Sequence, residues 1–245
     1  MGLVLGTTSN LFNELCLAVP APGNSTTDIE TTIAQILDYV HEVTFEDEYA
    51  SYPNPFYGYV SSTSTPNSAN NVSAQPSLSL VDGGQALQNN PIFPFLQPAR
   101  NVDVILVNDN SADTNNFPNG SEILTTYVQS FNHNLTRMPY IPSVETFIAQ
   151  GLNQRATFFG CNDTTKATII YLPNYNWTFA SNIATAQLSY QKTEQTEMIE
   201  NGVNIATQGN NTAWGTCLGC GIMMKTGETL PSDCTACLAK YCYYE

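Results

Sequence analysis

Basic side chains and histidines are scarce in this sequence. Of 245 residues only 7 are Lys or Arg and 2 are His, against 21 Asp or Glu, which gives a formal net charge of -14. Proteins that bind nucleic acid need clustered Lys and Arg to neutralise phosphates, and the basic residues here form no patch. The composition therefore excludes nucleic acid as a partner and long-range attraction to anionic lipid. Transient contact with a membrane surface would rest on apolar insertion or on a pocket for single lipid molecules.

Long apolar runs are lacking too. Residues 1–5 are largely apolar, but they carry no basic segment and no small-x-small cleavage site. The apolar run at 15–18 is too short to span a bilayer. We therefore expect no signal peptide within the sequence.

Acceptor sites for N-linked glycans are abundant by contrast. Seven Asn-x-Ser/Thr sequons are present, at Asn24, Asn71, Asn119, Asn134, Asn162, Asn176 and Asn210. Glycans would supply hydration that the sparse charges do not, so we expect an extracellular protein, secreted or cell-wall associated. Because a glycosylated protein must enter the secretory pathway, we expect the polypeptide to start upstream of Met1. Asn119 and Asn134 lie near segments expected to be packed, which would hinder their modification.

The seven cysteines are concentrated towards the end of the sequence. Five of them form one pattern: Cys217-x-x-Cys220, Cys234-x-x-Cys237 and Cys242. This spacing suits either a zinc site with four thiolates or a set of disulfides. An oxidising compartment favours disulfides, and Cys242 would be a surplus fifth ligand. We expect Cys161 to join the disulfide set, although spacing does not determine connectivity. Cys16 is then left reduced or paired with another chain.

Hydrophobic periodicity predicts an α/β protein. Helical spacing is present at 8–18, 29–43, 122–131, 143–152 and 193–206. Short apolar runs bounded by turn residues predict strands at 77–81, 102–107, 157–159, 167–172 and 187–190, the first two buried in a sheet. The Pro-, Asn- and Ser-rich span 51–75 is predicted to be a loop that is ordered at 52–59. No internal repeat is present.

One predicted strand end places a carboxylate where chemistry could occur. The strand at 77–81 runs into Asp82-Gly83-Gly84, at the sheet edge where α/β proteins build their sites. The two glycines can take positive φ and would let a substrate or another backbone approach the aspartate closely. By itself, such a motif is more often an ordinary strand-to-turn aspartate.

Other candidate sites are weaker. The acidic segment 108–113 alternates Asp, Asn and Ser like a calcium loop, but it lacks the Gly and Glu of an EF-hand. We interpret it as a strand end with Asx turns. His41 and His133 are isolated, and no Gly-x-Ser-x-Gly elbow is present. A serine hydrolase would therefore need a carboxylate as its base, and we predict no metal and no cofactor.

Short motifs from one end of the chain to the other carry a family resemblance. They are Gly6-Thr-Thr-Ser-Asn-Leu-Phe-Asn13, Tyr52-Pro-Asn-Pro-Phe-Tyr-Gly-Tyr59, Leu80-Val-Asp-Gly-Gly84, Gln97-Pro-Ala-Arg-Asn-Val-Asp-Val-Ile105, Asn110-Ser-Ala-Asp-Thr114, Phe117-Pro-Asn-Gly120, Arg137-Met-Pro139, Thr157-Phe-Phe-Gly-Cys161, Glu200-Asn-Gly202 and the terminal cysteines. With them the sequence resembles the C-terminal half of the fungal secreted lysophospholipases, or phospholipases B. The catalytic domain of that family is similar to cytosolic phospholipase A2 and, more distantly, to patatin.

The resemblance implies an α/β fold, with part of a patatin-like or cytosolic phospholipase A2-like sheet flanked by helices. Residues 1–212 would form the C-terminal half of the catalytic domain, and 213–245 a cysteine-rich helical segment of it. The resemblance also favours disulfides over zinc. Since the family's C-terminal lipid-anchor signal is not present in this sequence, we expect a soluble secreted form.

The resemblance implies calcium-independent hydrolysis of the fatty-acyl ester of lysophospholipids by a Ser/Asp dyad, with diacyl phospholipids as an additional expected substrate. By motif, Asp82 corresponds to the catalytic aspartate. The nucleophilic serine of the family lies in an upstream Gly-x-Ser-Gly-Gly segment that this sequence lacks. We therefore expect the chain to be a fragment that is inactive by itself. The alternative is a non-catalytic secreted glycoprotein paralogue that acts as a binding or structural module.

Overall fold

The computed structural model describes residues 50–59, 72–80, 83–184, 187 and 189–244. The chain divides into two units, Met1–Ala86 and Leu87–Glu245. Several predicted features lie outside the described residues: the helices at 8–18 and 29–43, Cys16, Asn24, His41, Asn71 and Asp82.

A pair of antiparallel strands lies in the described part of the first unit. β1 (Ala50–Pro53) pairs with β2 (Ser77–Leu80), and Ala50 lies opposite Leu80. β2 confirms the strand predicted at 77–81, but its expected burial is wrong. Its residues alternate between exposed and half-buried, because β2 pairs antiparallel with β1 and only one of its faces is covered.

The segment after β1 is held by one buried side chain. The Asn54 amide donates hydrogen bonds to the carbonyls of Val72 and Gln75 at 2.6 and 2.7 Å. Its side-chain oxygen accepts from the backbone N–H of Phe56 at 2.9 Å. The predicted order at 52–59 is confirmed, although the loop begins only after β1.

The second unit alternates strands and helices. Its elements are α1 (Phe93–Leu96), β3 (Val104–Asp109), α2 (Ser121–Asn132), α3 (Val144–Ala149), β4 (Thr157–Phe159), β5 (Thr168–Pro173), α4 (Lys192–Thr207), α5 (Trp214–Met223) and α6 (Asp233–Tyr241). These bounds confirm three of the four strands and all three helices that the sequence predicts between 102 and 206, within three residues at each end.

The three strands of this unit form one sheet in the order β3-β5-β4. β5 runs parallel to β3 and antiparallel to β4. Every residue of β5 is buried because helices cover both faces of the sheet. Tyr171 contacts Phe147 of α3 on one face, with ring centroids 5.4 Å apart. Ile170 belongs to the core of the opposite face, together with Trp214 of α5.

A glycine sets the close approach of α2 to α3. Gly120 precedes α2 with φ of 89°, and a Cβ there would lie 2.6 Å from the ring of Phe147. Any larger residue would clash with this buried ring and strain the backbone. The Phe117-Pro-Asn-Gly120 motif therefore has a packing role.

Two disulfides join the last two helices, Cys217–Cys237 and Cys220–Cys234. A third among the described residues, Cys161–Cys242, joins the segment after β4 to the residue that follows α6. The participation of Cys161 is confirmed, and the zinc alternative is wrong because all four CxxC thiols are paired. α5 and α6 pack on each other and on the sheet, so the predicted boundary at residue 212 falls inside the second unit.

The strand predicted at 187–190 is wrong. The described residues there, Gln187, Ser189 and Tyr190, have no strand pairing. The Gln187 side chain donates to Glu194 in the first turn of α4 at 3.1 Å, and Gln191 caps this helix together with Glu194. The segment therefore leads directly into the N-terminus of α4, and its described residues are not part of a sheet. No helix in the described part of the chain is long and apolar enough to cross a bilayer.

Candidate active site

Asp82, the predicted catalytic aspartate, lies outside the described residues, and the structure shows its neighbours in the chain. β2 ends at Leu80, and a 3-10 helix, Gly83–Ala86, follows. The predicted strand that leads to the Asp-Gly-Gly motif is therefore present. The two glycines begin this 3-10 helix, and among the described residues β2 pairs antiparallel with β1, so it does not end at the edge of a parallel α/β sheet as the sequence led us to expect.

The carboxyl end of β3 carries a buried aspartate. Asp109 is fully buried, and one of its carboxylate oxygens accepts from the Tyr171 hydroxyl at 2.6 Å. The other accepts from the backbone N–H of Ser111 at 2.9 Å and from the Ser111 hydroxyl. The Asx turn predicted for 108–113 is confirmed by the Ser111 N–H contact.

Two more carboxylates belong to the same region, and we call Asp109, Asp113 and Glu122 the carboxylate cluster. Glu122, in the first turn of α2, accepts from the backbone N–H of Asn89 at 3.1 Å. Asp113 accepts from the backbone N–H of Asn119 at 3.0 Å. Burial raises the pKa of both carboxyl groups above the ordinary value, and the nearby negative charge of Asp109 raises each further.

The neighbouring tyrosine responds to the same environment. Burial first, and then the charge of Asp109, raise the pKa of Tyr171 well above its ordinary value. Its hydroxyl therefore stays protonated and serves as a hydrogen-bond donor to Asp109 over the physiological range.

The carboxylate cluster has the geometry of a structural anchor. Ser111 and Asp109 form a Ser–Asp pair, but they are 1% and 0% exposed, so a substrate ester does not reach the hydroxyl. Both carboxylate oxygens of Asp109 are bonded to protein donors. Among the described residues, no group of three or more His, Cys, Asp or Glu side chains is arranged to hold a metal ion. The cluster ties the segment between β3 and α2 to β5.

A second buried polar anchor was missed by reasoning from the sequence. Asn201 of α4 is 0% exposed, and its side-chain oxygen accepts from the backbone N–H groups of Trp177 and Thr178, both at 3.0 Å. Its amide donates to the Tyr175 carbonyl and to the Ser181 hydroxyl, both at 2.9 Å. The motif Glu200-Asn-Gly202 was visible in the sequence, but nothing in the pattern indicated that its asparagine is buried and holds a loop.

Comparison with known proteins gives the family. The family sequence model described as lysophospholipase catalytic domain matches residues 1–245. The chain belongs to the lysophospholipase catalytic domain family. The resemblance inferred from the short motifs is thus confirmed, and the alternative of a non-catalytic paralogue that acts as a binding or structural module is not favoured.

Curated proteins that are similar to this chain are also named as lysophospholipases. Lysophospholipase 1 of Aspergillus fumigatus is 40% identical over 99% of this chain, and a lysophospholipase of Penicillium chrysogenum is 38% identical over 99%. Probable lysophospholipase 5 of Schizosaccharomyces pombe is 33% identical over 99%. The chain spans 40%, 41% and 42% of these relatives, respectively. No solved structure matches the chain.

Proposed function

We propose that this chain is part of a lysophospholipase that hydrolyses the fatty-acyl ester of lysophospholipids, with diacyl phospholipids as a second substrate class. The observation that carries the proposal is the family match over the whole chain, with about 40% identity to named lysophospholipases. The α/β arrangement of the second unit, with helices on both faces of its sheet, is consistent with a patatin-like or cytosolic phospholipase A2-like domain.

Asp82 is the proposed base of a Ser/Asp dyad. Such an aspartate must accept the serine proton as the hydroxyl oxygen attacks the ester carbonyl, and then return that proton to the leaving alcohol. Water hydrolyses the resulting acyl-enzyme with the same aspartate as base. The sequence contains no Gly-x-Ser-Gly-Gly segment, so the serine would be supplied by polypeptide outside residues 1–245.

The proposed location is extracellular, secreted or cell-wall associated. Three disulfides support this location, since structural disulfides persist in oxidising compartments. Of the sequon asparagines in the described part of the chain, Asn134, Asn162, Asn176 and Asn210 are exposed. Asn119 is half-buried, and its amide donates to the Thr114 hydroxyl at 3.1 Å, which disfavours glycan transfer at that site.

The decisive experiment replaces Asp82 in the native polypeptide that contains this chain. We expect Asp82→Asn to lower the rate of fatty-acid release from lysophosphatidylcholine by about 100-fold or more, because general acid–base catalysis contributes ~10²–10⁴ in rate. The melting temperature should change little. Activity within a few-fold of wild type would overturn the assignment.

The matched control is Asp103→Asn. The Asp103 side chain is 54% exposed and pairs with Arg137 at 2.6 Å, so its loss removes a surface ion pair worth ~0–1 kcal/mol and should leave the rate unchanged. Purified residues 1–245 should release no fatty acid. Turnover above that of a heat-inactivated sample would contradict the need for an external serine.

A further inference from the structure

A surface cavity in the second unit lies between α2 and the loops around β4. Its volume is about 360 Å³, at the lower end of the ~300–1,000 Å³ of small-molecule sites. The lining combines the aromatic rings of Tyr127, Phe131 and Tyr140 with polar side chains such as Lys166. Two sequon asparagines, Asn134 and Asn162, also line it.

The end of α2 brings an exposed aromatic ring and a sequon together. The N–H of Asn134 donates to the carbonyl of Phe131 at 3.2 Å, and that of Leu135 donates to the carbonyl of Ser130 at 2.8 Å. Asn134 has φ of 52°. This pattern is a Schellman motif with asparagine in its left-handed position, so the backbone conformation of Asn134 is set by the helix end.

Within this motif the side chains of Phe131 and Asn134 are both accessible to a ligand. Phe131 is 66% exposed, and one side of its ring contacts Tyr127 with centroids 5.0 Å apart. The side chain of Asn134 is exposed and has no hydrogen bond with any described residue. Thr136, the third residue of the sequon, lines the same cavity as Phe131 and Asn134. The expectation that packing hinders modification of Asn134 therefore finds no support in the geometry.

We propose that Asn134 carries an N-linked glycan whose first N-acetylglucosamine packs on Phe131 at the mouth of this cavity. One face of a pyranose ring consists of C–H groups, and burying it against an aromatic ring removes apolar surface from water. Hydroxyl and acetamido groups of the sugar can hydrogen-bond to the polar rim. The covalent link holds the sugar at high effective concentration, so even a weak contact is populated.

An acyl chain is a poorer occupant of this cavity. Glycans at Asn134 and Asn162 would flank the opening, and Lys166, whose Nζ donates to the Thr136 carbonyl at 2.8 Å, places a charge in the lining. The inference rests on the proposed secretory route and not on lipid hydrolysis.

The test is a double-mutant cycle on the native protein made in a eukaryotic secretory host. Glycopeptide mass spectrometry should show Asn134 occupied. Thr136→Ala, which removes the sequon and keeps asparagine at the left-handed position, should lower the melting temperature by about 2–4 °C when Phe131 is present, a typical effect for one modest contact in a domain of this size. In the Phe131→Ala background the same change should lower it by less than about 1 °C, because the contact is already lost.

Two controls separate the sugar contact from other effects. Trimming all glycans to a single N-acetylglucosamine with an endoglycosidase should preserve the melting temperature, since only the first sugar touches the ring. Asn162→Gln should have the same effect with or without Phe131. An unoccupied Asn134, or equal losses in both Phe131 backgrounds, would overturn the inference. Absence of glycan at every sequon would instead refute the secretory route on which it depends.

Discussion

Replacing Asn201 tests the buried hydrogen-bond network most directly. In Asn201→Ala the four hydrogen bonds of the Asn201 side chain to Trp177, Thr178, Tyr175 and Ser181 are lost, although the Trp177 N–H and the Tyr175 carbonyl still bond to each other at 3.0 Å. At the lower limit of ~0.5 kcal/mol for the net contribution of each hydrogen bond, the free energy of unfolding falls by about 2 kcal/mol. For a chain of this size that corresponds to a decrease in melting temperature of about 4–8 °C.

The matched control is Asn204→Ala on the same helix. Asn204 is only half-buried, and its amide donates to the Glu200 carbonyl within α4 at 2.9 Å. Both substitutions replace asparagine by a better helix former, so the difference between them isolates the buried network. Thermal and urea unfolding of the two variants measures that difference. If Asn201→Ala is no more destabilising than Asn204→Ala, the network does not hold the loop as we argue.

Asn201→Asp tests whether residue 201 must both donate and accept hydrogen bonds. The carboxylate still accepts from Trp177 and Thr178, but it cannot donate to Tyr175, and burial of its charge is unfavourable. At low pH the protonated acid is neutral and regains a donor. We therefore expect a larger loss of stability at pH 7 than at pH 4. An equal loss at both pH values would contradict this account.

Two further predictions concern the carboxylate cluster and a disulfide. Because the folded pKa of Glu122 is raised, its contribution to stability is present at pH 4 and is lost as the pH rises through that pKa. Glu122→Gln should therefore raise the melting temperature relative to wild type at pH 7 more than at pH 4, and a pH-independent difference would refute this. Replacing Cys161 and Cys242 together by Ala opens a bond that joins residues 81 apart, and chain entropy predicts a loss of about 4.5 kcal/mol. Urea unfolding without reductant measures it, and a loss below about 1 kcal/mol would contradict the entropic argument.

Elements with a strong local pattern were predictable from the sequence. β5 is a continuous apolar run, as expected of a strand with both faces covered, and α2 and α4 have helical periodicity. A strand was also expected at 187–190, yet Gln187 and Gln191 bond to the following helix. A short local pattern reports only which side chains could be buried, and strand pairing requires a neighbouring strand that the local pattern does not reveal.

Composition and motif were enough to determine the family and to indicate the class of chemistry. The sequence indicated disulfides, but only the tertiary structure determined that Cys217 pairs with Cys237 and Cys220 with Cys234, because connectivity depends on how α5 lies against α6. The buried roles of Asp109 and Asn201 were likewise decided by tertiary contacts. Their partners, Tyr171 at a separation of 62 residues and Trp177 at 24, are brought near only by packing on the sheet, which no local pattern encodes.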